Sequence, residues 1–600
     1  MIESSSTRER AIALAFVASL AVAPFACSAA GNPNQPATTG SGGAGGSGST
    51  ATGSGGSVFS TGTGCDAHCS ADLHQVLGCN DEVLATCPDD QGCAAGSCVD
   101  ACEAARSNFS TTGCEFYSVI PAGEFSTRGS CFAAFVANTW STPVSIAVDH
   151  GDAPLDVATI ARTPVGSGFT LSYAPLDNGM LGPGEIAILF LSSATSGGSL
   201  WVGCPEGTTA GVMEDPAVPD TGIGSAFHIR TSAPVVAYDM YPYGGAISAI
   251  TSATLLVPTP AWGTNYIAAS AFAADPELAQ AHGEPHLQIV AAEDDTSVTI
   301  RPTSAIEGGP GVDPAEAGKP HTYTLGKGQV LQLFQAGDLA GSPISADKPI
   351  SVWAGASCVN IPVGTPACDS AHQELLPVSA LGHEYVAVRY RNRLKDVEES
   401  VPWTLVGAVN GTTLVYDPAP PAGAPTTLDS GQVAQFEASE PFSVKSADDD
   451  HPFYLAGHMT GEESLPNNTK LLGDPEYVSV IPPAQWLASY LFLTDPTYGN
   501  THLVFVRKKA KDGTWKPVTL DCLGHVTGWK PVGSAGEFEM ARVDLVINGA
   551  PQGSCDNGAH TATSDAPFGL TVWGWEPANS YAYPAGMGVL PINSVIVPPK

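Results

Sequence analysis

Apolar and polar positions alternate in short runs along most of this chain. GEIAILFLSS (Gly184–Ser193) and TSVTIRP (Thr296–Pro302) keep a period of two, which predicts half-buried strands. The same texture runs through SCFAAFVANTW, VSIAVDH, FTLSYAPLDN and SAFHIRTSAPVVAYDMY, then NYIAAS, HLQIVAAEDDTSVTIRP, QVLQLFQ and PISVWAG. Glycine, proline and Asp/Asn breaks separate the runs. No segment sustains a helical period. Frequent short strands between turn residues predict antiparallel β-sandwiches.

A longer pattern lies over this one. An apolar run ending in proline recurs as EFYSVIP (Glu115–Pro121), TLLVP (Thr254–Pro258), ELLP (Glu374–Pro377), VSVIPP (Val478–Pro483) and GVLP (Gly588–Pro591). A proline-led partner recurs as APVVAYDMYPYG (Ala233–Gly244), KPISVWAGAS (Lys348–Ser357), HPFYLAGHMT (His451–Thr460) and APFGLTVWGWE (Ala566–Glu576). Pro121, Pro258, Pro377, Pro482 and Pro591 stand 137, 119, 105 and 109 residues apart. That period is one small domain per repeat. The repeats are expected at 115–253, 254–373, 374–477 and 478–600. A single β-propeller is the alternative architecture, since GVLP echoes the first copy and would close a ring, but these repeats are long for one four-stranded blade.

Composition agrees with a turn-rich β protein. The 600 residues include 66 Gly and 49 Pro, and 43% are hydrophobic, enough for buried cores. The net charge of −35 repels nucleic acid and anionic membranes alike. Arg8 and Arg10 precede an apolar run to Pro24, a signal-peptide pattern too short for a spanning helix. Cys27 fits a lipoprotein cleavage site, with ordinary secretion as the competing reading, so 1–27 is expected to be a leader. Residues 28–64 form a Gly/Ser/Thr-rich linker, and its Gly31–Gly64 part has a root-mean-square reach of roughly 30 Å. The membrane is expected to meet this protein only through such a lipid anchor.

Fourteen of the 15 cysteines follow Cys27, an even number suited to disulfides in an oxidising compartment. Cys65, Cys69, Cys79, Cys87, Cys93, Cys98, Cys102 and Cys114 fall in a module at 65–114 that is too small to rely on its core alone. Disulfides are preferred to zinc, because no paired C-x₂-C knuckles occur. The others sit within repeats, with Cys131 and Cys204 in the first, Cys358 and Cys368 in the second, Cys522 and Cys555 in the fourth. Pairing within each repeat is the simplest assignment.

Three blocks, Gly263–Pro302, Gly328–Asn360 and Cys368–Val388, resemble the N-terminal domain of the IgG-Fc-binding protein family. The closing PFGLTVWGW…SYAYPAGMGVLPINS resembles its end. The resemblance covers roughly Glu115–Pro599 and is most specific in the middle blocks. It implies an extracellular binding or adhesion module, not a hydrolase, of the kind found in bacterial secreted proteins and lipoproteins. It does not imply immunoglobulin as the ligand. The module at Cys65–Cys114 lies outside the animal domain, so nothing transfers to it.

Residues suited to chemistry are few. His372 and Glu374, followed by His383 and Glu384, offer ligands or an acid–base pair, but lack the helical i, i+4 spacing of a zincin. They are read as surface turns at strand ends. The acidic runs Glu293-Asp294-Asp295 and Asp448-Asp449-Asp450 suit hairpin tips better than calcium loops. There is no G-x-S-x-G elbow and no phosphate-cradling loop. Tyr238, Tyr241, Tyr243, Trp573, Trp575, Tyr581 and Tyr583 could form aromatic platforms, yet Trp353 and Tyr454 recur at equivalent places, which favours core packing. The resulting expectation is an exported, non-enzymatic surface protein without cofactor or metal. Its tandem β-modules would bind an extracellular protein or glycan. A structural matrix or envelope component is the alternative.

Overall fold

The computed structural model describes residues 67–600, apart from residues 71, 123–125, 167–169, 245–249, 274, 276–277, 279–282 and 367. The expected leader, Cys27, the linker and Cys65 lie outside the described residues. Strands dominate the remainder, as the period-two pattern predicts. Each repeat builds around one long strand that serves two sheets in turn. In the second repeat this strand is Pro343–Val359, whose first part pairs with Gly263–Ile267 on one side and Thr296–Ile300 on the other. Its second part pairs with Pro285–Ala291 and Asp369–Glu374. Gln329–Phe334 extends the second sheet. With His321–Leu325 beside Thr296–Ile300 and Gly222–Ser225 beside Gln329–Phe334, the result is a four-stranded layer and a five-stranded layer sharing one strand, which is a sandwich.

The long strands of the first and fourth repeats, Phe227–Tyr241 and Gly558–Glu576, do the same. In the third the strand is interrupted, as Phe442–Lys445 and Phe453–Met459. The crossing from one layer to the other falls at Pro234, Pro349, Pro452 and Pro567, the prolines that lead the second recurring motif. A proline has no N–H for the ladder, so a strand changes partners there at little cost. A single propeller does not close, because each repeat is two layers deep instead of one blade.

The other recurring motif forms the joints. After the apolar run, proline opens a short 3₁₀ turn at Thr259–Ala261, Val378–Ala380 and Pro483–Gln485. A tyrosine then locks each joint onto the long strand. The hydroxyl of Tyr266 accepts from the Gly263 N–H at 3.0 Å and donates to the Ile350 carbonyl at 2.8 Å. Tyr385 does so between Gly382 and Phe453, and Tyr490 between Leu487 and Phe568. Each accepting carbonyl belongs to the residue just after the layer-crossing proline. The two motifs seen in sequence are therefore partners in space. Glycine is required beside them: a Cβ on Gly263 would lie 2.5 Å from the Pro377 Cβ, and one on Gly382 2.4 Å from the Pro482 Cβ.

The four sandwiches meet through their last strands, Ser252–Leu255, Asp369–Glu374, Glu476–Ser479 and Asn579–Pro584, each packing on the next and the fourth on the first. Side chains replace ladder bonds across this meeting. Ser252 and Thr254 hydroxyls accept from the His372 and Glu374 N–H groups, each at 3.0 Å. At one end the buried Asp369 carboxylate accepts from the backbone N–H groups of Thr251 (2.5 Å), Ser580 (3.2 Å) and Ser370 (3.2 Å). Ser580 in turn donates its hydroxyl to the Asp474 carbonyl at 2.6 Å, bringing in the third repeat. The C-terminal segment then runs back over the joints. Met587 and Thr111 exchange bonds of 2.9 and 3.0 Å, Ile592 N–H reaches the Ser379 carbonyl, and Val597 pairs with the Asn265 amide.

The cysteine-rich segment ends in a helix, Ala101–Asn108, capped by Asp100, whose carboxylate accepts from the Cys102 and Glu103 N–H groups. Disulfides join Cys69–Cys93, Cys87–Cys98 and Cys102–Cys114, the last stapling the helix to the first strand of the first repeat. Cys79 is also disulfide-bonded. Trp140 of the first repeat donates to the Asp89 carbonyl at 2.7 Å and closes the contact. Within the repeats the bridges are Cys131–Cys204, Cys358–Cys368 and Cys522–Cys555.

Asp369 holds three N–H groups that would otherwise be buried without partners. Asp369→Ala is expected to lower stability by about 3 kcal/mol or more, against about 1–2 kcal/mol for Tyr266→Phe, which leaves one N–H and one carbonyl unpaired. Urea denaturation of both variants checks this. An Asp369→Ala loss no larger than that of Tyr266→Phe removes the junction's special role.

Candidate functional site

A cleft of about 1060 Å³ lies between the first and fourth repeats, with Lys470 and Leu472 of the third at its edge. Turn chemistry builds its fourth-repeat wall. Asn548 and Gly549, both with positive φ (49° and 73°), make a two-residue hairpin turn after Phe538–Ile547, the pairing that Asn-Gly favours. Pro496–Asn500 turns between Leu487–Thr494 and the next strand, and Glu576-Pro577 turns into the innermost strand. A Cβ on Gly499 would lie 2.2 Å from the Glu576 carboxylate, so glycine lets these two turns touch. The first-repeat wall comes from Tyr173, on the strand Ser172–Pro175, and from Tyr243 just past the long strand.

Polar groups on the cleft are held in place. The Tyr173 and Tyr243 hydroxyls are 2.9 Å apart, and the Tyr173 ring packs edge-on against Phe190 at 5.6 Å. Asn557 donates its amide to the Tyr498 carbonyl at 2.6 Å, while its buried Oδ1 has no partner. Asn500 accepts from the Asn548 N–H at 3.1 Å. Glu576 accepts from the Gly499 N–H, and burial lifts its carboxyl above the usual range. Behind the floor, burial pushes Asp495 up to about 6, with Thr497 donating twice to one oxygen and the other oxygen unpaired. Rigid tyrosines, fixed amides and carboxyls form a surface suited to binding. Among the described residues no nucleophile is paired with a base along it.

Of the residues singled out in sequence only Tyr243 borders the cleft, and it too is buried, its hydroxyl on that of Tyr173. Tyr238, Tyr241, Tyr454, Tyr581, Tyr583, Trp353, Trp573 and Trp575 are buried in the cores. Tyr238 donates to the Ala585 carbonyl at 2.7 Å and packs at a tilt 4.8 Å from Tyr583, joining the first repeat to the fourth. His372 and Glu374 are not in surface turns. They lie fully buried in an innermost strand, His372 3.3 Å from His286, and Glu374 accepting from the Val257 N–H at 2.8 Å. Polar residues sit there because neighbouring repeats need hydrogen-bond partners where no ladder exists. His383 and Glu384 are apart from them, paired with Asp449 and Lys508. Asp294 accepts from the Lys327 N–H at 2.9 Å and Asp448 pairs with His451 at 2.6 Å, so the acidic runs act as hairpin tips. Among the described residues one group has metal-ligand proximity, Asp521, Cys522 and His560. Cys522 is bound in a disulfide, and the Asp521 oxygens already accept from His560 and from the Cys522 and Thr561 N–H groups. The cleft itself escaped sequence reading. Its one local signal was the Asn548-Gly549 pair, because its walls come from positions some 400 residues apart.

A family model described as IgGFc binding protein matches residues 252–574. The IgGFc-binding protein of Homo sapiens is 27% identical over 345 residues, covering 56% of this chain and 6% of that protein. No solved structure matches the chain. The matched stretch begins at the last strand of the first repeat, so Tyr173 and Tyr243 stand outside it.

Buried carboxyls predict how stability varies with pH. Burial pushes Asp239 up to about 8, only partly offset by the Ser118 hydroxyl at 2.7 Å. Its folded pKa exceeds its unfolded value, so its contribution is full below about pH 4 and is lost as pH rises toward 8. The thermal midpoint of Asp239→Asn should therefore fall less than that of the wild type between pH 5 and 8.5. Parallel curves for the two proteins would contradict a protonated Asp239.

Proposed function

The chain belongs to the IgGFc binding protein family, and from that premise we propose that it is an exported binding protein whose ligand is an extracellular protein or glycan. The observation that carries this reading is the cleft between the first and fourth repeats, a preformed concave surface on a disulfide-braced β scaffold. The disulfides support an oxidising compartment. Among the described residues no helix is long and apolar enough to cross a membrane. We assign the leader to 1–27, a tether to 28–64, the cysteine-rich module to 65–114, and binding repeats to 115–253, 254–373, 374–477 and 478–600. In this reading Cys27 carries the lipid of a cell-surface anchor, on a bacterial envelope.

What the human relative's name says it binds makes the Fc fragment of immunoglobulin G the natural first probe. The full chain, immobilised and probed with that fragment and with a panel of extracellular glycoproteins, is expected to bind at least one saturably, with a Kd of about 10 µM or tighter. Failure to retain any of them would leave a structural matrix or envelope component as the better account.

A further inference from the structure

We propose that the cleft between the first and fourth repeats is a carbohydrate subsite that takes a neutral pyranoside, with Tyr173 as its stacking face and Asn557 as a hydroxyl acceptor. This rests on the binding role proposed above and names its ligand chemistry. Its volume of about 1060 Å³ sits at the upper end of the ligand clefts of roughly 300–1,000 Å³ found in proteins, room for an oligosaccharide. The half-buried Tyr173 ring cannot turn freely, because its hydroxyl is tied to Tyr243 and its edge to Phe190. A fixed ring face suits the C–H face of a sugar at small entropic cost.

Hydrogen bonding points the same way. The Asn557 amide nitrogen is committed to Tyr498, leaving a buried carbonyl oxygen with no partner. Such an acceptor is costly to leave empty, and a turn of the Asn557 side chain, which lines the cleft, brings it to a ligand hydroxyl. Asn548 and Glu576 stand on the same wall and offer amide and carboxyl groups to neighbouring hydroxyls. Charge excludes the polyanionic alternatives. Among the described residues the cleft presents Lys470 as its one cation, already 3.5 Å from the Asn548 Oδ1, against Asp556 and Glu576 on a chain of net charge −35. A neutral, hydroxyl-rich ligand meets every one of these groups.

The test uses the full chain on an array of neutral oligosaccharides, followed by titration calorimetry with the best-bound one. Tyr173→Phe, which keeps the ring, should bind within about twofold of wild type. Tyr173→Leu and Asn557→Leu should each weaken binding about tenfold or more, with thermal midpoints near wild type. Trp529→Phe, in the fourth repeat and off the cleft, is the control and should leave binding unchanged. Where Tyr173→Leu proves unstable, Asn557→Leu and Tyr173→Phe alone decide. Array binding that neither leucine substitution weakens places the glycan elsewhere and overturns the site, while the binding role stands. Binding of a deglycosylated extracellular protein without any array signal overturns the ligand class and again leaves the binding role. Loss of both signals sinks the role and the subsite together.

Discussion

A single buried carboxylate, that of Asp369, holds the place where the repeats converge. It takes N–H donors from the first, second and fourth repeats, and Ser580 passes the connection to the third. Burying a carboxyl is costly, and burial pushes Asp369 well above the ordinary range. Three convergent N–H groups pull the other way and offset part of that cost. The geometry gives the junction its specificity, since no apolar side chain can accept three backbone donors from three directions. Sandwiches that pack only through apolar faces can slide. Sandwiches that meet at Asp369 have one register.

The joints extend this logic outward. Proline frees the long strand to change layers, and the tyrosine three residues past Gly263, Gly382 or Leu487 holds the carbonyl just beyond that proline. Each part depends on the other. Without the crossing there is no exposed carbonyl at that point, and without the tyrosine the crossing leaves one buried and unpaired. The third repeat keeps the lock although its long strand is interrupted by the loop at Asp448–Asp450, so the lock and not strand continuity is the repeated element. The first repeat has Phe116 where the others have tyrosine, three residues after Gly113. There the disulfide Cys102–Cys114 and the cysteine-rich module brace the entry strand instead.

Local chemistry was legible in sequence where spacing alone could speak. Alternation gave the strands, and recurring prolines marked the joints and layer crossings. The recurring aromatics belong to cores, as their repetition suggested. Polarity misled at His372 and Glu374: a run such as DSAHQE looks like a surface turn, yet it is an innermost strand whose polar side chains serve the neighbouring repeats. Nothing local distinguishes those two cases. The cleft was illegible for a related reason. Tyr173 and Asn557 are remote in sequence, and their proximity depends on the fourth repeat packing back on the first.

That closing contact differs from the other three. Successive repeats are joined by peptide, and beside each joint the proline-tyrosine lock fixes the entry of the next repeat to its own long strand. The fourth and first repeats have no such joint. They are held by Tyr238 on the Ala585 carbonyl, by Thr251 with Tyr498 and Asn579, and by the C-terminal segment on Thr111. These bonds fasten the inner part of the seam, while on the fourth-repeat side its outer part is carried mainly by turns, at Pro496–Asn500, Asn548-Gly549 and Glu576-Pro577. Turns at strand ends cannot interdigitate as sheet faces do, so space remains between them. A cleft at this seam is thus a consequence of closing an array of sandwiches on itself. Anything bound there touches both ends of the array and stiffens the one contact that no covalent joint secures.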